Sequence, residues 1–306
     1  MAVLAVPPQP LHTRAMSHVL TLVADRTATS LSQPVIDRLR AAVGGGKVDI
    51  LAPGEAADIL CKELPDPAVI ERALEGLPID AIVTRHRGRR KGLLVADMDS
   101  TIVTSETLDE LAAFAGLKEK VAYITRRSMN GEIDFAEALR LRVAMLKGLG
   151  LDALGKTWER TRFTPGAKEL IATMRKHNAT TALVSGGFTF FTGRVAEELG
   201  FDVHRANVLL DDGTALTGEV AEPILDRHAK LLTLRELAEA RGLQTTATMA
   251  VGDGANDLAM LKEAGLGIAF HAKPIVAAEA RARVDHGNLR ALLFAQGYKA
   301  SEFAAG

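Results

Sequence analysis

The sequence predicts an α/β protein: a parallel sheet wound by helices, with a helical cap inserted into it and a small α+β unit in front. Three observations support this class. From Leu93 onward, short apolar runs alternate with segments of helical periodicity. Residues 105–163 interrupt the alternation because they are helical almost throughout, which favours an inserted cap. Residues 17–85 instead follow the order strand, helix, strand, strand, helix, strand.

Composition limits the classes of function. A chain of 306 residues that is 47% hydrophobic and 25% charged is long enough for two domains with separate cores. Its net charge of −1 argues against nucleic acid and anionic membranes as partners. Cys61 is the only cysteine, which excludes an intramolecular disulfide and favours a buried thiol and a reducing, cytoplasmic location. No apolar run reaches the roughly 18 residues of a membrane span.

The amino-terminal third divides into three parts. Residues 1–16 contain several prolines and no signal-peptide pattern, which predicts a flexible tail. Residues 17–85 form the α+β unit, and their βαββαβ order resembles an ACT-type, ferredoxin-like regulatory module. That resemblance implies an amino-acid effector. A basic tract, RHRGRRK, occupies residues 85–91, and residues 86–92 are assigned as a basic linker. A binding patch would explain the tract, but its shortness and lack of aromatic side chains favour a solvated linker.

Within residues 93–306, four apolar runs are predicted as parallel strands and two periodic segments as covering helices. The strands are LLVAD, TALVSGG, TATMAVGDG and GLGIAF, and the helices are TPGAKELIATMRKHNA and AKLLTLRELAEARGL. Residues 207–220, NVLLDDGTALTGEV, predict a hairpin, in which Asp211 and Asp212 are turn residues rather than catalytic ones.

Polar side chains follow three of these strands. In an open parallel sheet, ligands bind beyond the carboxyl ends of the strands. Asp97, Ser185 and Asp253 each stand at such an end. A helix cap or a loop role would explain any one of them, but three together predict a single crevice with a chemical purpose.

The motifs around these residues are more specific. DMDST at 97–101, SGG at 185–187, Lys230, and GDGANDLAML at 252–261 occur in that order. The set resembles the haloacid dehalogenase superfamily of aspartate-based phosphatases, over residues 93 to about 280. The resemblance implies a Rossmann-like sheet with a helical cap of the C1 type.

Phosphate chemistry explains the acidic residues. Attack by a carboxylate on a dianionic phosphate ester requires charge neutralisation, which Mg²⁺ provides through hard oxygen ligands. Asp97 and Asp253 can each supply one carboxylate oxygen, and the resemblance adds the backbone carbonyl of Asp99. The other oxygen of Asp97 would attack phosphorus and form an aspartyl-phosphate.

Asp99 stands beside the nucleophile on the same predicted face. It would protonate the leaving alkoxide as general acid and then activate water as general base. Two other roles stay open from the residues alone: a side-chain metal ligand and a helix cap.

The remaining core residues suit the phosphoryl group. The Ser185 hydroxyl and the Gly186 backbone N–H could bind its oxygens. Lys230 could be an ordinary surface lysine, but it stands 23 residues before Asp253, the spacing of the lysine that neutralises phosphate in the family. By the same resemblance Asn256 orients substrate and Asp257 orders the metal shell or Lys230; both residues could also cap the helix that follows.

The predicted cap carries two charged residues that would face the crevice. Phe135, Leu139, Arg142 and Leu146 fall on one helical face, so Arg142 is a charge on an apolar stripe. Its head could still reach solvent, and Glu106 could be no more than a helix N-terminal acid. Together, however, a guanidinium and a carboxylate suit a zwitterion such as an α-amino acid.

ADMDSTIVTSETLDELA and the F-x6-R spacing at Phe135 and Arg142 resemble the phosphoserine phosphatase family. The resemblance implies that Glu106 and Arg142 bind the amino acid, that Met129 lies over it, and that O-phospho-L-serine is hydrolysed to L-serine in the last step of serine biosynthesis. Two alternatives stay open: a phosphotransferase to homoserine or another alcohol, and a serine-sensing or partner-binding protein. A homodimer is also expected.

Overall fold

The computed structural model describes residues 17–129 and 132–305, without the side chains of Met129 and Arg227. The tail predicted over residues 1–16 lies outside this range. The first unit is a four-stranded antiparallel sheet with strand order β2-β3-β1-β4. Its elements are β1 (His18–Ala24), α1 (Gln33–Ala42), β2 (Val48–Ala52), β3 (Ala56–Cys61), α2 (Pro67–Leu74) and β4 (Ile79–Arg85). They lie in the order that the sequence predicts.

Strand alternation divides the side chains of this unit between two cores. Leu20 and Leu22 of β1 pack with Ile36 of α1 and Ile70 of α2. Val23, on the opposite face of β1, belongs to the larger core of the carboxyl-terminal unit. Cys61 is buried in the smaller core, as predicted for a lone thiol.

The larger unit is built on six parallel strands in the order β12-β11-β10-β5-β6-β7. The strands are β5 (Leu93–Ala96), β6 (Thr180–Phe188), β7 (Val203–Asn207), β10 (Thr248–Gly252), β11 (Leu266–Phe270) and β12 (Ala282–Val284). The helices that cover them are α7 (Ala167–Lys176), α8 (Thr189–Leu199), α9 (Arg227–Ala240), α10 (Leu258–Glu263), α11 (Pro274–Glu279) and α12 (Arg290–Ala295).

Helices cover both faces of this sheet. Leu94 of β5 packs in one core with α7 and α12, whereas Val95 packs in another with α9 and α10. A strand buried on both faces needs a continuous apolar run, and the run before Asp97 satisfies that need. The predicted α/β class is confirmed.

Over its described residues, the cap contains four helices and one hairpin. Its helices are α3 (Thr107–Phe114), α4 (Lys118–Met129), α5 (Phe135–Ala144) and α6 (Asp152–Arg160), and the hairpin strands are β8 (Leu209–Asp211) and β9 (Leu216–Val220). Gly148 donates a backbone hydrogen bond to the Leu216 carbonyl at 2.8 Å, and Leu216 donates one to Leu149 at 2.9 Å. The hairpin, about fifty residues further along the sequence, therefore completes the cap.

Two details differ from the predictions. β5 ends at Ala96, one residue before Asp97, and a π-type turn over Met98–Ile102 follows. Ser185 lies within β6 rather than after it, although the pairing of β6 with β5 ends at Leu183. Ser185 is thus beyond the residues of β6 that pair with β5, where ligands bind in an open parallel sheet. None of the described helices combines the length and apolar character that crossing a bilayer requires.

The prediction of a solvated linker over residues 86–92 is wrong at Arg89. Its side chain is only 10% exposed and forms an ion pair with Asp58 at 2.5 Å. It also donates to the Thr21 hydroxyl at 2.9 Å and to the carbonyls of Phe294 and Ala295 at 3.2 Å. Buried charges must be paired, and here the partners come from both units. This part of the basic tract therefore joins the two units.

Candidate active site

Three carboxylates converge at the carboxyl edge of the parallel sheet. Asp97 follows β5, Asp253 follows β10, and Asp257 stands at the start of α10. One oxygen from each lies within 4.8 Å of the others, and all three residues are buried. The neighbouring strands β5 and β10 are in register up to Ala96 and Val251, so the residues just beyond them meet.

Lys230 lies beneath this cluster on α9 and is 3% exposed. Its Nζ is 2.7 Å from Asp97 Oδ1 and 2.5 Å from Asp257 Oδ1. Burial alone would lower the pKa of this ammonium, but the charges of Asp257 and Asp97 outweigh burial and raise it above its usual value. The alternative of an ordinary surface lysine is excluded by these contacts.

The carboxylates carry more negative charge than Lys230 neutralises. Burial, followed by the charge of Asp97, raises the pKa of Asp253 to about 6 and that of Asp257 to about 7. Lys273 is 3.4 Å from Asp253 and offsets part of this repulsion. A buried set of hard oxygen donors with excess negative charge fits a divalent cation such as Mg²⁺.

Asp99 lies next to the three-carboxylate cluster without joining it. Its Oδ1 accepts a hydrogen bond from the Thr107 backbone N–H at 2.7 Å, and its Oδ2 accepts one from the Ser185 hydroxyl at 3.2 Å. Burial first, and then the charges of Glu106 and Asp97, raise the pKa of Asp99 to about 7. A carboxyl group with that pKa can both donate and accept a proton near neutrality.

Ser100 occupies a strained position in the turn after Asp97. Its φ of 55° is in the left-handed region, which costs a non-glycine residue of the order of 1 kcal/mol. Its hydroxyl donates to Glu106 Oε1 at 2.8 Å. Ser100 therefore links the turn after Asp97 to the first acidic residue of the cap, a contact that the sequence analysis did not anticipate.

The SGG segment is held close to the cap. The Ser185 hydroxyl accepts a hydrogen bond from the Gly187 N–H at 2.8 Å, and the Gly186 carbonyl accepts one from Asn207 Nδ2 at 2.9 Å. A Cβ on Gly186 would lie 2.8 Å from the Phe135 ring, so a larger residue there would require that cap side chain to shift. Asn207, almost fully buried, was also missed by the sequence, which offers no motif around it.

Arg142 points its charge into the protein. It is 8% exposed, its Nε donates to the Ala138 carbonyl at 3.1 Å, and its Nη1 donates to the Thr125 hydroxyl at 3.0 Å. The alternative in which its head escapes to solvent is thereby excluded. Leu146, predicted on the same helical face, is buried but lies past the end of α5.

A cavity of about 480 Å³ opens between the sheet edge and the cap. Its walls contain most of the residues that the sequence predicts for the site, namely Asp97, Asp99, Glu106, Arg142, Ser185, Gly186, Asp253 and Asn256. Lys230 and Asp257 are not among the wall residues; Lys230 contacts both Asp97 and Asp257. The side chain of Met129 is outside the described residues. Thr125, Ser128 and His228 also line the cavity, and the sequence analysis did not single them out.

The site is a buried acidic cluster at the carboxyl edge of a parallel sheet, under a helical cap. One family model matches the sequence that forms it. The model of the haloacid dehalogenase-like hydrolases matches residues 94–262, more than half of the chain. Fold and site thus define the class: the chain belongs to the haloacid dehalogenase-like hydrolases.

Individual relatives narrow the class. The chain is 48% identical over 210 residues to a probable phosphoserine phosphatase of Schizosaccharomyces pombe, covering 68% of this chain and 70% of that relative. A solved structure described as a phospho-aspartyl intermediate analogue of phosphoserine phosphatase is 41% identical, with a TM-score of 0.63 over 67% of this chain and 98% of that one. An unliganded probable phosphoserine phosphatase from Vibrio cholerae is 31% identical, with a TM-score of 0.76 over 96% of this chain and 90% of that one.

Within the class, the chain is a member of the phosphoserine phosphatase family. Its match spans 97% of a short relative from Methanocaldococcus jannaschii and 53% of a longer one from Mycobacterium tuberculosis. The part common to these relatives is about two thirds of this chain.

Proposed function

We propose that the chain hydrolyses O-phospho-L-serine to L-serine and inorganic phosphate, the final step of L-serine biosynthesis. One observation carries the proposal: Asp97 and Asp99 share a cavity with Glu106 and Arg142. The first pair suits phosphoryl transfer, and the second pair suits the ammonium and carboxylate of an amino acid. The family membership of the chain supports the same activity.

In the first step, a carboxylate oxygen of Asp97 attacks phosphorus, and the bond from phosphorus to the serine oxygen breaks. Asp97 is oriented for this through Oδ1, which accepts from the Met98 N–H at 2.8 Å and contacts Lys230. Asp99 donates its proton to the departing serine alkoxide, a poor leaving group. The products are free L-serine and an aspartyl-phosphate on Asp97.

In the second step, water attacks the phosphorus of the aspartyl-phosphate, and the bond to Asp97 breaks. Asp99, now a carboxylate, accepts the proton of that water, which restores both groups to their starting states. The pKa of about 7 for Asp99 suits both directions of transfer. Ser185, Gly186 and Asn256 are proposed to hold the phosphoryl oxygens, with Lys230 compensating their charge.

We propose Mg²⁺ as the cofactor, held by Asp97, Asp253 and, following the family resemblance, the backbone carbonyl of Asp99. Bound Mg²⁺ supplies the positive charge that lets a carboxylate approach a phosphate dianion. Asp257 is assigned a supporting role, because its Oδ1 contacts Lys230 and its Oδ2 accepts from the Gly254 N–H at 3.0 Å. Glu106 is proposed to bind the substrate ammonium, Arg142 its carboxylate, and Met129 to lie over it.

The decisive assay measures phosphate release from phosphoserine, phosphothreonine and a sugar phosphate, with Mg²⁺ and with EDTA. We expect a strong preference for phosphoserine and loss of activity in EDTA that returns with added Mg²⁺. Equal rates on the three esters would refute the amino-acid specificity, and full activity in EDTA would refute the metal assignment. Adding homoserine and measuring phosphohomoserine distinguishes a phosphotransferase from a hydrolase.

For residues 17–85 we propose an ACT-like domain that binds an amino-acid effector, with residues 93–306 as the phosphatase domain. The βαββαβ order of the first unit and its own hydrophobic core support this division. Calorimetric titration of the full chain with L-serine tests it, and absence of heat beyond active-site binding would contradict it. We further propose a homodimer, testable by sedimentation velocity, and a cytoplasmic location, supported by the single, buried cysteine.

A further inference from the structure

The guanidinium of Arg142 is held from two sides by groups of the cap itself. Its Nε donates to the Ala138 carbonyl, one turn earlier on α5, and its Nη1 donates to the Thr125 hydroxyl on α4. Because a guanidinium is planar, two such bonds fix its orientation. Nη2 makes no hydrogen bond within the described part of the chain, and Arg142 lines the cavity.

Thr125 supplies one of these two bonds from an almost buried position, 6% exposed. Its oxygen lies 3.1 Å from the Val121 carbonyl and 3.4 Å from Asp109 Oδ1. A hydroxyl has one proton, which it donates to one of these acceptors, so its lone pairs remain for the Arg142 N–H. The hydroxyl is thereby oriented as an acceptor before any substrate binds.

Asp109, in the first turn of α3, stands behind Thr125 as the second part of the arrangement. Burial lowers the pKa of the Arg142 guanidinium, and Asp109 is the largest of the carboxylate contributions that oppose this effect. Burial in turn raises the pKa of Asp109. Asp109, Thr125 and Arg142 thus bring three cap helices together, with the Thr125 hydroxyl between the carboxylate and the guanidinium.

We infer that Thr125, supported by Asp109, is a positioning residue that sets the Arg142 guanidinium for the carboxylate of the substrate. The inference rests on the proposed phosphoserine activity and adds to it the groups that fix its specificity. A preset arginine needs no reorganisation when the carboxylate arrives, whereas a loose one must be ordered at the expense of affinity. The loss of Thr125 should therefore weaken binding more than it slows chemistry.

The test uses the full chain and two substrates: phosphoserine, and p-nitrophenyl phosphate, which has neither a carboxylate nor an ammonium. Thr125→Val preserves the side-chain shape and removes the hydroxyl. We expect KM for phosphoserine to rise about tenfold and kcat to fall less than about threefold. The ratio of kcat/KM for phosphoserine to that for p-nitrophenyl phosphate should fall about tenfold. Thr125→Ser, which restores the hydroxyl, should recover most of the ratio.

Thr157→Val is the matched control. Thr157 is a buried threonine of the cap helix α6, and its hydroxyl donates to the Ala153 carbonyl at 2.8 Å, four residues earlier, as Thr125 can do to Val121. Within the described residues, its hydroxyl is not a hydrogen-bond partner of Arg142. We expect its removal to leave the substrate ratio within about twofold of the wild type, even if thermal stability falls. This control separates the general effect of removing a buried threonine hydroxyl from the specific effect of losing the contact with Arg142.

Asp109→Asn keeps an acceptor near Thr125 and removes the charge, and we expect an intermediate fall in the ratio. If Thr125→Val does not fold, the substrate ratios of Asp109→Asn and Thr125→Ser test the positioning role instead. A folded Thr125→Val enzyme with the wild-type ratio, or Asp109→Asn and Thr157→Val falling equally, would overturn the inference. The substrate preference of the wild-type enzyme is measured before any variant is compared. A wild-type enzyme without preference for phosphoserine would refute the proposed function rather than this inference.

Discussion

At the scale of single residues, Asp97 is the group on which the proposed chemistry depends most directly. Its Oδ1 is held by Lys230 and the Met98 N–H. Asp97→Asn keeps the shape but removes the charge and the nucleophile, so we expect phosphate release to fall about a thousandfold or more. The fall should appear for phosphoserine and for p-nitrophenyl phosphate alike. Asp211→Asn is the control, because Asn can still accept the Gly213 N–H in the exposed hairpin turn.

Replacing Arg142 should reduce kcat/KM mainly for substrates that have a carboxylate. We expect Arg142→Ala to reduce kcat/KM for phosphoserine by about 30- to 100-fold, since charge-assisted bonds to a buried carboxylate are lost. O-Phosphoethanolamine, which keeps the ammonium and has no carboxylate, should lose far less. Arg140→Ala is the control on the same helix, as Arg140 is exposed and paired with Glu222. Equal losses on the two substrates would contradict the assigned role.

The sequence predicts the charged residues of the site far better than the residues that hold them. The motifs that contain Asp97, Lys230 and Asp253 indicate their chemistry directly, because few other functions require charged residues at those spacings. Ser100 and Thr125 are common hydroxyl residues whose importance comes from one hydrogen bond each, to Glu106 and Arg142. Such bonds depend on backbone conformation and helix packing, which no local pattern records.

At the scale of elements, the hairpin β8–β9 illustrates a similar limit. The Asp-Gly signal predicts its turn, and the structure confirms it. Its packing against the cap could not be predicted, because the bonds that join Gly148 and Leu149 to Leu216 connect segments far apart in sequence. Strand and helix order follow from periodicity, whereas the neighbours of each element follow from three-dimensional packing.

The turn of this hairpin should be sensitive to acid. Asp212 accepts hydrogen bonds from the Thr214 hydroxyl and from the N–H groups of Thr214 and Ala215, which lower its pKa to about 2 from a usual 3.8. A lowered folded-state pKa stabilises the turn above pH about 4 and loses that contribution as pH falls towards 2. Nuclear magnetic resonance titration should find the carboxyl near 2, with faster exchange of the Ala215 amide below it. Titration near 4 would contradict the turn geometry.

At the scale of the whole molecule, two carboxylates of the first unit bind the second directly, and a third is linked to it through Arg89. Asp80 accepts backbone hydrogen bonds from Asp285, His286 and Gly287 at 2.7 to 3.1 Å. Glu55 forms a two-point ion pair with Arg290 at 2.8 and 3.0 Å. With Asp58 and Arg89, these contacts make the first unit an integral part of the fold. They join residues up to 235 positions apart, so composition of the linker alone could not reveal them.

Arg89 provides the most direct test of this union. Arg89→Ala leaves the Asp58 carboxylate buried without its cation, which should lower the free energy of unfolding by about 3 kcal/mol. Adding Asp58→Ala removes the unpaired charge, so the double variant should lose less than the single one. Arg87→Ala, at an exposed position in the same basic tract, should change stability by less than about 0.5 kcal/mol. Urea unfolding followed by far-ultraviolet circular dichroism measures all three; equal stabilities for Arg89→Ala and Arg87→Ala would mean that the tract is a linker after all.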